Sequence, residues 1–222
     1  MSTTTPARTD HEVREAVEQE LDWTPDVEAL GIGVSVHSGA VTLSGEVKNH
    51  AERIAALHAA LRVRGVTTVL DDITVHAASG WPVTETDIAK EVQRALRAAT
   101  NVPESVKAEI DGHTVTLTGE VGWNFERLAA QKAVEYLRGV HFVDNRVSLT
   151  ARPAARDVEL RIKQAITRNA LLDADTIHVT ADGERVRLTG TVHSWAEKQQ
   201  AGAIAWASPF ASHVDNDILI TI

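Results

Sequence analysis

Val41-Thr42-Leu43-Ser44-Gly45-Glu46-Val47 is the first of three versions of one stretch. The second reads Val115-Thr116-Leu117-Thr118-Gly119-Glu120-Val121, and the third Val186-Arg187-Leu188-Thr189-Gly190-Thr191-Val192. Gly45, Gly119 and Gly190 recur at intervals of roughly 70 residues, and a period of that kind marks a tandem architecture. Apolar and polar side chains alternate within each copy, the pattern of a strand with one buried face. The glycine suits a strand exit, where the chain turns towards a helix and the backbone needs freedom.

Working outward, each copy sits in the same surroundings. Upstream lies an amphipathic stripe: Val13, Ala16, Val17 and Leu21, then Ile88, Val92, Ala95, Leu96 and Ala99, then Val158, Ile162, Ala165 and Ile166. Asp10, Asp87 and Asp157 open these helices as N-caps. A strand follows, carrying Ile32, Val34 and Val36 in the first unit, and Ser38-Gly39, Asp111-Gly112 and Asp182-Gly183 turn it into the glycine-bearing strand. Downstream is an Ala-rich second helix, ended by Gly65 and Gly139 in two units and by Pro209-Phe210 in the third. A last strand closes each unit. The order is α-β-β-α-β, with the third strand parallel to the second after a right-handed crossover. The fold class is α+β: three tandem two-layer sandwich domains, each a three-stranded mixed sheet covered on one face by two helices. Which strand is central stays open. The expected domains are 9–76, 84–151 and 155–222, joined by linkers at 77–83 and 152–154 after a disordered 1–8.

A unit of this size buries a modest core, so contacts between units should matter. The formal net charge is −9, from 31 acidic and 22 basic residues. That opposes nucleic-acid binding, which needs cationic surface. It equally opposes simple docking on anionic lipid. Cysteine is absent, so disulfides and thiolate chemistry are excluded. The N-terminal stretch has no apolar signal-like segment, and no stretch reaches membrane-span length. A cytoplasmic protein is the expectation.

The repeated pattern resembles the BON domain: the amphipathic helix, the hairpin ending in Val-x-Leu-[Ser/Thr]-Gly-x-Val, the Ala-rich helix, then Gly-Val-x-x-Val-x-[Asn/Asp]. That last element appears as Gly65-Val66-Thr67-Thr68-Val69-Leu70-Asp71 and Gly139-Val140-His141-Phe142-Val143-Asp144-Asn145. The third copy, Phe210-Ala211-Ser212-His213-Val214-Asp215-Asn216, departs at the glycine. The resemblance covers nearly the whole chain. It implies a non-enzymatic bacterial protein of the osmotic-stress or transport-associated type, contacting phospholipid surfaces or envelope-related partners. Periplasmic location is the alternative that family analogy offers. A potassium-sensing relative implies a second reading, a cytoplasmic cation sensor. A third is a scaffold that self-associates through sheet edges.

No catalytic residue, cofactor or metal is expected. There is no Gly-rich phosphate loop, nucleophile elbow or His-Glu-x-x-His. The ten histidines are scattered and read as surface residues. Glu52, Glu126 and Glu197 read as helix N-terminal charges on a solvated face. Gly45, Gly119 and Gly190 read as structural. The candidate ligand- or membrane-binding residues are Trp123, Phe125 and Trp195, aromatics at the start of the second helix. Trp81 is expected to pack at the first junction, and Trp206 and Phe210 to fill core or interface volume.

Overall fold

The computed structural model describes residues 8–76, 83–150 and 157–221. Trp81 and nearly all of both linkers lie outside the described residues. The first unit contains α1 (Asp10–Asp22), β1 (Ile32–His37), β2 (Ala40–Val47), α2 (His50–Arg62) and β3 (Thr68–Val75). The order in the sheet is β1-β2-β3, so β2 is central, antiparallel to β1 and parallel to β3. Spacing alone left that choice open.

The second unit contains α3 (Glu85–Ala98), β4 (Lys107–Asp111), β5 (Thr114–Thr118), β6 (Glu120–Val121), α4 (Asn124–Glu135), β7 (Phe142–Asn145) and β8 (Ser148–Leu149). The third has α5 (Val158–Thr167), β9 (Ile177–Asp182), β10 (Arg185–Val192), α6 (Trp195–Trp206), β11 (His213–Asn216) and β12 (Leu219–Ile220). In both, the closing strand is split in two. Its pieces pair in parallel with the glycine-bearing segments β5, β6 and β10.

Each unit has its own core beneath two helices. Val13, Val17 and Leu21 meet Val41, Leu43 and Ala56 in the first. Ile88, Val92, Val115, Leu117 and Ala130 repeat this in the second, and Val158, Ile162, Val186, Leu188 and Ala201 in the third. Alanine on the second helix leaves room for the larger β side chains, which keeps the two layers close.

The motif glycine is not a strand exit. β2 and β10 run straight through Gly45 and Gly190, and β5 and β6 break only at Gly119. All three have φ between +118° and +129°. A Cβ there would overlap a carbonyl oxygen of the neighbouring segment: Gly31, Ser105 or Thr176. The requirement is left-handed backbone together with close approach of a facing peptide.

The helix openings also differ from expectation. Thr9, not Asp10, caps α1, and Glu12 returns to the Thr9 amide in a reciprocal box. Thr84 and Asp87 do the same for α3, so Asp87 corresponds to Glu12. Asp10 instead accepts from the Ser38 and Gly39 amides, pinning the hairpin turn to the helix. Glu85 holds the Gly112 amide and Glu159 the Ala181 amide in the other two units. Asp157 does occupy the N-cap position of α5.

Each unit touches both others. The start of α2 faces the end of α4, where His50 lies within electrostatic reach of Glu135 and the His141 backbone. The start of α4 faces the end of α6, where the Arg127 guanidinium lies 4.5 Å from the Trp206 ring centroid. α2 and α6 lie against each other.

Candidate functional site

The second helix of every unit begins where the central strand ends, and its cap is built from three positions. In the first unit, Asn49 Oδ1 accepts from the Glu52 amide at 2.8 Å. Glu52 in turn accepts from the Glu28 and Lys48 amides, both at 2.9 Å, and its side chain is buried. It is therefore not on a solvated face: three backbone donors converge on this corner, and the carboxylate ties the α1–β1 loop to the helix. Lys48 pairs with Glu28 beside it. In the third unit, Ser194 Oγ accepts from the Glu197 amide, and Glu197 takes the His193 amide.

The second unit departs from this. Trp123 stands at the cap position, and an indole has a donor but no acceptor oxygen to give the helix. The Trp123 amide still donates to Glu126 at 2.9 Å, and the Glu126 amide turns to the Trp123 backbone carbonyl at 3.1 Å instead of a side-chain oxygen. Giving up a capping oxygen costs about 1 kcal/mol in helix stability. In exchange, the position presents an aromatic ring. Trp123 is 37 % exposed and Phe125 54 % exposed, with ring centroids 6.5 Å apart. Leu128, one turn on, is 45 % exposed. Trp123 and Phe125 form an apolar pair at the helix start with Leu128 exposed on the next turn, and Trp123 also borders a small cleft shared with Trp206 and Phe210 of the third unit.

Trp195 is placed differently. It is the first residue of α6, one position beyond the cap, and matches His50 and Asn124, not Trp123. His50 and Asn124 are buried, Trp195 is half-buried, and Lys198 Nζ lies 5.8 Å from its ring. The structure brings Trp123 and Phe125 together and sets Trp195 at the matching corner of another unit. A one-residue offset between aligned helix starts is invisible without the caps, which is why the sequence pairs the two tryptophans.

Two residues important to the seams carry no sequence signal as such. Arg127 looks like any solvated helical cation, yet it is half-buried over Trp206, and burial lowers its pKa. His50 reads as a surface histidine and is 6 % exposed. Burial, and then the Arg53 charge, lower its pKa, opposed by Glu135 and Asp71. His113 and His141 stack with ring centroids 4.2 Å apart at the adjoining corner of unit 2. Among the described residues no group of three or more histidines, aspartates and glutamates is arranged to hold a metal ion.

Trp206 fills an interface, as expected, and Phe210 packs on the third core. No described helix is long and apolar enough to cross a membrane.

These features define a class: small helix-backed sheets in tandem, joined by side-chain seams and presenting surface patches. The BON domain family model matches residues 9–77, 84–151 and 155–221, and the chain belongs to that family, in three tandem copies. BON domains are binding modules. No curated protein matches the chain at a significant level. Among solved structures, the chain is similar to the C-terminal domain of CdsD, the structural protein of the type III secretion system of Chlamydia trachomatis. That match has 11% identity over 97% of this chain and 100% of that one, with a TM-score of 0.27. A second CdsD structure matches at 11% identity over 95% and 92%, also with a TM-score of 0.27.

Proposed function

We propose that the chain is a non-catalytic binding protein whose second unit contacts a phospholipid surface through Trp123, Phe125 and Leu128. The supporting observation is the cap of α4, where an exposed indole replaces the helix-capping oxygen kept by Asn49 and Ser194. An indole beside a phenyl ring suits the headgroup region, where an apolar body and a polar N–H both find partners. The net charge of −9 makes a zwitterionic surface the better match than an anionic one. An envelope-related protein partner would use the same patch.

Co-sedimentation with phosphatidylcholine vesicles tests the reading. The intact chain pellets with vesicles, and the Trp123→Ala, Phe125→Ala variant stays in the supernatant. Equal behaviour of the two proteins overturns it. Trp195→Ala, at its different corner, has the smaller effect. A role for Gly45, Gly119 and Gly190 in contacting ligand is not part of the proposal; their backbone geometry accounts for them.

A further inference from the structure

A groove of about 870 Å³ runs between α3 and β4, on residues separate from the aromatic patch. Half-buried Val102, Ala108 and Ile110 give it an apolar floor over Val92, Leu96 and Val106 of the core. Lys90, Arg97 and Lys107 stand exposed on its rim, against one carboxylate, Glu104. Lys107 Nζ donates to the Glu104 carbonyl at 3.1 Å. Among the described residues neither Lys90 nor Arg97 lies at salt-bridge distance from a carboxylate, and Lys90 has a Coulombic contact with Asp87 one turn earlier.

The repeat supplies an internal comparison. The buried triads Val13-Val17-Leu21, Ile88-Val92-Leu96 and Val158-Ile162-Ile166 align the three first helices. In that alignment Lys90 and Arg97 correspond to Glu15 and Asp22 in the first unit, and to Leu160 and Thr167 in the third. The cationic rim belongs to unit 2 and is not required by the fold, since two other copies fold without it. In a chain of net charge −9 it is a local inversion of sign.

The groove also follows an open sheet edge. Among the described residues β4 pairs only with β5 in the order β4-β5-β7, so its outer side carries backbone donors and acceptors with no described strand beside them. An acyl chain would use the apolar floor and leave those groups unpaired. An extended peptide satisfies floor and edge together.

We infer that this groove receives an extended peptide segment, which adds as a strand to the free edge of β4 and carries apolar and acidic residues by turns at the every-second positions facing α3. On the face turned to α3 its apolar side chains cover Val102, Ala108 and Ile110 and its carboxylates meet Lys90 and Arg97; the opposite face, where Lys107 stands beside Glu109 and Asp111, takes neutral residues. This site is independent of the phospholipid reading.

The test uses the full chain and a fluorescein-labelled peptide of about ten residues, with threonine at every second position and valine and glutamate by turns between, long enough to span a strand of ordinary length. The same peptide with lysine for glutamate and phosphatidylglycerol vesicles are the comparison arms. The glutamate peptide raises anisotropy saturably, and the Lys90→Glu, Arg97→Glu variant weakens it by about tenfold or more. Both side chains are exposed, so the variant keeps its melting transition; Arg97→Gln gives an intermediate loss. Amide exchange slows at residues 107–111 on peptide binding. Equal binding of the lysine peptide, an unchanged affinity in the variant, or no added protection on β4 overturns the proposal. So does binding of vesicles that needs Lys90 and Arg97 while the peptide fails, which would make the groove a lipid site.

Discussion

At Gly119 the backbone is left-handed and the Ser105 carbonyl occupies the space a side chain would need. Gly112 is also left-handed, with φ +58°, and has nothing within 4 Å of an added Cβ. The two positions separate conformation from collision. Gly112→Ala should cost about 1 kcal/mol, the price of αL for an L-residue. Gly119→Ala should cost about 3 kcal/mol or more, since strand register must also shift. Urea denaturation of both variants checks this, and equal losses would refute the collision. Residue 145 makes a second case. Asn145 Nδ2 donates to the Arg127 carbonyl, and Oδ1 accepts from the Val147 amide; Asn216 does the same with Lys198 and Ile218. Asp71, at the matching place, accepts from the Ile73 amide but cannot donate, and takes the Arg53 guanidinium at 2.8 Å instead. Asn145→Asp should therefore cost about 1 kcal/mol, the net worth of one lost hydrogen bond. The sequence marked these glycines and asparagines as recurrent. It could not show why, because the carbonyls they meet arrive from elsewhere in the chain.

Among elements, the strands and helices were legible from periodicity because amphipathic burial makes both patterns. Capping was legible only in part. Thr9 and Glu12 form a recognisable box, but Asp10 stands beside them with a similar side chain, and only the fold sends it to the hairpin turn. Likewise Glu52 looks like Glu126 and Glu197, yet it is buried because the α1–β1 loop closes over it. These caps set a pH dependence. Backbone amides of Ser38 and Gly39 hold Asp10 below its ordinary value of 3.8, and Thr9 holds Glu12 below 4.5. Thr84 lowers Asp87 in the same way. Depressed carboxylates contribute stability that is complete above their unfolded values and is lost as pH falls through the folded ones. Melting temperature should thus fall as pH drops below about 4.5. The Thr9→Ala variant should show a shallower fall, which thermal scans across that range would reveal. The aromatic pair at the start of α4 was legible as a cluster. The exposure of Phe125 and the lost cap at Trp123 were not, since both depend on what lies beside the helix.

For the whole molecule, the seams are the least legible feature and the one that turns three small cores into a single body. Trp206 and Arg127 are both half-buried where they meet, so Arg127→Ala should cost about 1 kcal/mol through the lost cation–π contact. Replacing Trp206 by leucine should give a similar loss, and the double variant should be less than additive, a coupling that a double-mutant cycle on chemical denaturation would measure. At the other seam, His50 is buried with Nδ1 unpartnered among the described residues, facing Glu135, Asp71, Arg53 and His141. A histidine held below its ordinary 6.5 stabilises fully above that value and loses the contribution as pH falls through its folded pKa. Acidification from pH 7 towards 5 should lower the melting temperature, and His50→Gln should flatten that dependence.

The contact of α2 with α6 has a consequence for how the chain could be rewritten. Unit 1 and unit 3 are neighbours in space although a whole domain separates them in sequence. Cyclic order, not linear order, is then what the assembled molecule reads. A gene recut to begin at unit 2 and finish with unit 1, with a spacer of suitable length at the new joint, would recreate every adjacency. A gene with the units in reversed order would join different pairs of termini, so the same seams would re-form only with spacers long enough to span those new distances.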